Sequence, residues 1–248
     1  MIVSIMQPAY LPWPGYFHRI ALADLHIELD DVLIDRNSKT KFTNRNKIRT
    51  PQGWCWLTVP IESKGKSDDL FINKIQIVSD SDWARKHWQS IRLNYAKAPC
   101  FAAHSAFLES VYLRRWERLV DLAETLNAYF LDVLGITTRR VTSSNLGVKG
   151  SKDELILNLC REVGATTYLS GPFGRDYLDV ERFERSGIRV LFHDYAPPEY
   201  SQAHAGFEPA MSVLDLILTH GPAARSILER GQMPRPISTD PHVTKPLS

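Results

Sequence analysis

The chain is 248 residues long, with 44% apolar and 23% charged side chains and 30 basic against 28 acidic groups, for a formal charge of +2. That composition excludes a largely disordered or collagen-like chain, and the length predicts a single α/β body carrying a small helical insert. The near-neutral balance announces neither a nucleic-acid nor a membrane-surface partner. Cys55, Cys100 and Cys160 have neither CxxC nor CxxH spacing, which argues for reduced thiols rather than a disulfide framework or a zinc site. The opening MIVSIMQPAYLPWPG lacks a basic region before its short apolar run. No apolar stretch approaches the ~18 residues of a membrane span, so a cytoplasmic protein is expected.

In chain order, IVSIM at residues 2–6 reads as a buried strand that stops at Gln7-Pro8. Pro12, Pro14 and Gly15 continue the loop, GYFHRIALAD has helical spacing, and LHIELDD alternates as a second strand closed by two acids. Strand, loop, helix, strand places the proline-rich loop at the carboxyl end of the first strand, where open parallel sheets bind ligands. Residues 36–53, RNSKTKFTNRNKIRTPQG, form the one dense basic stretch and read as a loop. WCWLTVPI and FINKIQIV read as two strands that pair nearby. From Ser81 to about Leu134 the period becomes helical and predicts about three helices.

The α/β pattern resumes with TRRVTSSNL and then SKDELILNLCREVGA, an amphipathic helix with Ser151 and Glu154 at capping-box spacing. TTYLSG and IRVLFHDY read as strands, and SVLDLILTHGP as a short helix ended by Gly221-Pro222. The expected organisation is one α/β domain over 1–80 and 136–230, a helical insert at 81–135, and a mobile tail over 231–248.

Three loops carry candidate chemistry. The first is rich in rigid and aromatic residues: Gln7, Pro8, Tyr10, Trp13, Gly15 and Tyr16 suit a preformed wall for a flat ligand, although a plain packing turn has the same composition. Gly15, opening a helix, also offers free N–H groups to an anion. Asp30 and Asp31 end the second strand, where an acid can orient a hydroxyl or take a proton, and His18 is a further base. The basic stretch supplies Asn44, Arg45 and Lys47 to grip phosphate or carboxylate, against the plain alternative of a solvated face. The third loop, with Ser170, Gly171, Gly174, Asp176 and Tyr177, follows a predicted strand and faces the first across a parallel sheet. No nucleophile elbow and no metal-ligand spacing are present.

QPAYLPWPGYFHRIALAD, LDDV, TNRNKIRTPQGWCWLTVPI, GSKDELILNLCREVGATTYLSGPFGRDYL and FEPAMSVLDLIL together resemble the WbqC-like family of bacterial proteins over about residues 1–230. The resemblance implies a place in O-antigen (lipopolysaccharide), related surface-glycan or secondary-metabolite biosynthesis and brings no catalytic residues with it. The entry into the chain also resembles nucleotidylyltransferases and class I aminoacyl-tRNA synthetases, which implies a Rossmann-like, HUP-type parallel sheet. Trp13-Pro14-Gly15-Tyr16 falls where those enzymes carry H-x-G-H, and Lys149-Gly150-Ser151-Lys152 is similar to their second, lysine-rich loop. With an indole and a phenol in place of both histidines, adenylyl transfer is not expected.

The expected function is therefore a transferase that passes an acyl or aminoacyl group to the amine of a nucleotide-linked amino sugar, with Asp31, His18 or Asp30 taking the proton. A nucleotide-sugar-binding or scaffold protein without turnover is the alternative, and a tRNA-dependent or tRNA-binding enzyme a third. The partner expected is a small anionic or nucleotide-linked substrate. Cofactor and oligomeric state do not follow from the residues.

Overall fold

The structure, a computed structural model, describes residues 1–34, 42–62, 70–79, 81–231 and 235–236. It is a mixed α/β structure whose sheet is mostly parallel. Strands β1 (Ile2–Met6), β2 (Leu25–Glu28), β5 (Arg139–Thr142), β6 (Thr167–Ser170) and β7 (Arg189–Phe192) lie parallel in the order β5-β2-β1-β6-β7. Helix α1 (Pro14–Ala21) joins β1 to β2, α6 (Lys152–Glu162) joins β5 to β6, and α7 (Val180–Arg185) joins β6 to β7.

Alternation along the central strands decides which side chain meets which layer. Val3 and Ile5 of β1, with Leu25 and Ile27 of β2, pack on Leu155, Leu159 and Phe183 of α6 and α7. Ser4 and His26 belong to the other alternation, where the Tyr16 ring of α1 stands edge-on to His26. A second apolar cluster joins Phe17 and Ile20 of α1 to the helices α2 (Trp83–Tyr95), α3 (Phe101–Leu113) and α4 (Leu119–Val133) and to α8 (Val213–His220). Helix α8 ends at Gly221, whose φ is +48° and where a Cβ would strike the Cys100 sulfur.

Four expectations change. The basic stretch is not a loop throughout: Arg45–Thr50 is strand β3, paired antiparallel with β4 (Gly53–Thr58), because Asn46 and Ile48 alternate inward while Arg45 and Lys47 stay at the surface. FINKIQIV is a 3-10 turn at Ile72–Lys74 with isolated bridges, since its apolar positions 72, 75 and 77 point into the helical core instead of alternating. Ser151 stands at the N-cap of α6 but its hydroxyl caps nothing. The predicted tail lies outside the described residues except for Gly231 and Arg235–Pro236; the latter pair is strand β8, antiparallel to β7.

A cationic crevice at the carboxyl edge of the sheet

Counted along the chain, the parallel strands run 3-2-1-4-5 across the sheet, so the direction of winding reverses between β1 and β6. Connections leave that point toward opposite faces, and a crevice opens beyond the strand ends. Here a cavity of about 420 Å³ opens there, walled by residues 7–9 after β1, by Gly171, Phe173, Gly174 and Tyr177 after β6, and by Trp13, Tyr16 and Arg19 of α1. Tyr16 and Arg19, three residues apart, share the helical face turned toward the cavity, and Trp13 joins them from the N-cap position.

Arg19 is the only charged side chain among the described lining residues. Its Nε donates to the Met6 sulfur, and among the described residues no carboxylate pairs with it. The guanidinium reaches from α1 to the opposite wall, where a Cβ at Gly171 would collide with Nη1. Burial pulls its pKa down, and the neighbouring phenols of Tyr168, Tyr16 and Tyr177 partly restore it. A guanidinium retains its proton under such pressure, so the crevice has a fixed positive floor.

The phenols around it are held neutral. Burial and the nearby Glu28 carboxylate push the Tyr16 hydroxyl far above its usual range, burial does the same for Tyr168, and the half-exposed Tyr177 is raised as well. The Tyr16 hydroxyl is buried without a hydrogen-bond partner among the described residues. The inventory is one cation, several neutral donors, and apolar and aromatic walls from Pro8, Trp13 and Phe173, which suits an anion joined to flat or apolar groups.

The WbqC-like family profile matches residues 7–227. The chain belongs to the WbqC-like family. It is also 38% identical to the uncharacterized protein Rv1507c of Mycobacterium tuberculosis over 231 residues, covering 91% of this chain and 96% of the relative. No solved structure matches it.

Of the residues singled out in this WbqC-like chain, Gln7, Pro8, Trp13, Tyr16, Gly171, Gly174 and Tyr177 line the crevice. Gly15 stands behind it, enclosed so tightly by Trp13 and Tyr195 that a side chain there would clash. Ser170 is buried at the end of β6 and donates to the Gly171 carbonyl, while Asp176 is exposed and outside the lining. Tyr10 points into the helical core, its hydroxyl 2.9 Å from His87 Nδ1 and 2.6 Å from the Tyr112 hydroxyl.

The three nominated bases lie elsewhere. His18 Nδ1 is 2.7 Å from His193 Nε2, the rings stacked and 2% exposed each. Burial lowers the pKa of both, that of His193 to about 3. Asp30 accepts from Ser144 N at 2.9 Å and from the Ser144 hydroxyl at 2.7 Å, and the single proton of the Ser143 hydroxyl lies between Asp31 and Asp30, the latter at 3.0 Å. These acids tie β2 to the short helix α5 (Ser143–Leu146), and Asp30 borders a separate cavity with Glu28, Lys74, Arg118 and Glu124.

In the basic segment, Asn44 and Asn46 spend their amides on the carbonyls of Val59 and Leu11, while Arg45 and Lys47 lie over the indoles of Trp56 and Trp54. Ser151 and Lys152 are exposed and do not line the crevice, to which their helix contributes Ile156. Sequence reasoning passed over Arg19, Phe42, Tyr168 and Phe173. The signal for Arg19 was legible: a lone cation six residues after Trp13 and three after Tyr16 shares their helical face. Among the described residues no helix is long and apolar enough to cross a membrane.

Proposed function

We propose that the protein binds a nucleotide-linked sugar in this crevice, with a phosphate against Arg19 and the sugar between Tyr16, Phe173 and Tyr177. The observation that carries the reading is the half-buried Arg19 guanidinium, which no carboxylate neutralises among the described residues, at the reversal point of the sheet. The strand order supports a Rossmann-like, HUP-type sheet of the nucleotidylyltransferase kind, in which such crevices take nucleotides. Family membership supports a place in surface-glycan or secondary-metabolite biosynthesis.

Acyl or aminoacyl transfer to a sugar amine asks for a proton acceptor beside that amine. His18 is engaged with His193, and Asp30 and Asp31 with the serines of α5. Holding the ligand without turnover is therefore the reading these residues support best. The test is mass spectrometry of the purified protein incubated with nucleotide-sugars, acyl donors and ATP. Retention of an unaltered nucleotide-sugar agrees with holding; a change in the mass of the sugar restores the transferase.

A further inference from the structure

The crevice does not end at its own walls. Phe42 lines it and also meets Trp56, ring centroids 5.9 Å apart, and Trp56 stands edge-on to Trp54 at 5.6 Å. An aromatic stripe thus runs from the crevice mouth along the outer face of the β3–β4 hairpin. Trp54 and Trp56 are 42% and 36% exposed, while Asn46, Ile48 and Leu57 on the other face are buried. Core formation uses that inner face and gives no reason for two indoles in water.

Each of these indoles has a cation over it. The Arg45 guanidinium lies 4.3 Å from the Trp56 ring centroid and the Lys47 ammonium 4.9 Å from that of Trp54, with Lys47 also reaching the Pro209 carbonyl at 3.4 Å. Such pairing fixes the rings in place and sets positive charge beside them. An indole held in this way presents a flat π surface on which a planar base can stack.

We propose that this stripe is the platform for the nucleobase of the same ligand, with Trp56 under the base, Trp54 beyond it, and Arg45 and Lys47 adding positive potential along the path. The proposal rests on the reading that Arg19 holds the phosphate. Stacking on an indole serves any base, since every base has a π face, so the platform supplies affinity and leaves discrimination to the crevice.

The test is calorimetric titration of the full chain with UMP and with ribose 5-phosphate, which share a phosphate and differ by the base. UMP is expected to bind roughly 5- to 100-fold more tightly. In Trp56→Leu that ratio falls toward one with ribose 5-phosphate affinity unchanged, and Trp56→Phe keeps part of it. Arg19→Gln weakens both ligands alike. Trp54→Leu, checked by circular dichroism beside the other variants, gives a smaller loss in the same direction and settles the matter where a Trp56 variant does not fold.

An unchanged ratio in the Trp56 and Trp54 variants overturns the platform alone, provided Arg19→Gln still weakens ribose 5-phosphate. Failure of both ligands to bind overturns the crevice reading and the platform with it. A uridylate hexamer that binds at least tenfold more tightly than UMP, through Trp54, also overturns it, because the stripe would then track a single-stranded nucleic acid.

Discussion

Replacing Tyr16 by phenylalanine is expected to raise stability and lower affinity together. The hydroxyl is buried and unpartnered among the described residues, while the ring packs edge-on against Phe17 and His26. Leaving a polar atom buried and unpaired costs about 1–3 kcal/mol, and phenylalanine removes that atom while keeping the ring. For a chain of this size each kcal/mol corresponds to roughly 2–4 °C in Tm, so a rise of several degrees is predicted for the protein alone. In the proposed complex the same hydroxyl is expected to donate to the anion on Arg19. A hydrogen bond to a charged group contributes about 1.5–3 kcal/mol, so affinity should fall roughly 10-fold or more. Differential scanning calorimetry with and without ligand reads both quantities. A lower Tm in Tyr16→Phe would refute the reasoning, since it would mean that the hydroxyl already has a stabilising partner in the free protein.

Asp30→Ala removes the acceptor of the Ser144 N–H and hydroxyl, while Ser143 keeps Asp31, and should cost about 1–3 kcal/mol in urea unfolding while leaving crevice binding unchanged. Acid should weaken the fold. Burial holds His26, His87 and His193 down to about 3, about 4 and about 3, so their contribution is complete above the ordinary value near 6.5 and is lost as pH falls below it. Asp215, raised by burial to about 6, and Glu28, also raised by burial, act the other way by taking protons in the folded state. The balance favours the histidines, with on the order of 3–4 kcal/mol lost between pH 7 and pH 5. Denaturation midpoints across that range check the sign, and a fold no less stable at pH 5 would contradict it. Gly171→Ala should displace the Arg19 side chain, because the new methyl would collide with Nη1, and weaken ligand binding without unfolding the protein; equal affinity in a titration would refute this.

Strands whose side chains are apolar on both faces were legible in the sequence: IVSIM, TTYLSG and IRVLFHDY are β1, β6 and β7, and the helical period over 81–134 became α2, α3 and α4. Strand β3 was not legible, because RNKIRT holds a single apolar residue, Ile48, among five polar ones and its order comes from pairing with β4. The two loops that form the crevice followed from the rule for parallel strand ends, since both leave the same edge. Asp30 and Asp31 leave that edge as well, but the serines opening α5 capture them, a contact between residues more than a hundred positions apart. No spacing rule reports such a contact. Arg19 was legible only through its spacing: three residues after Tyr16 and six after Trp13, it shares their side of the chain, although a cation on a short helix otherwise reads as a surface residue.

The central claim is that Arg19 makes the crevice an anion site. Calorimetric titration of the wild type and Arg19→Gln with a UDP-linked amino sugar at two salt concentrations tests it most directly. The account predicts that the wild type binds, that glutamine at position 19 reduces affinity roughly 10- to 100-fold, and that most of the salt dependence disappears with the guanidinium. Equal affinity and equal salt dependence in the two proteins would contradict it.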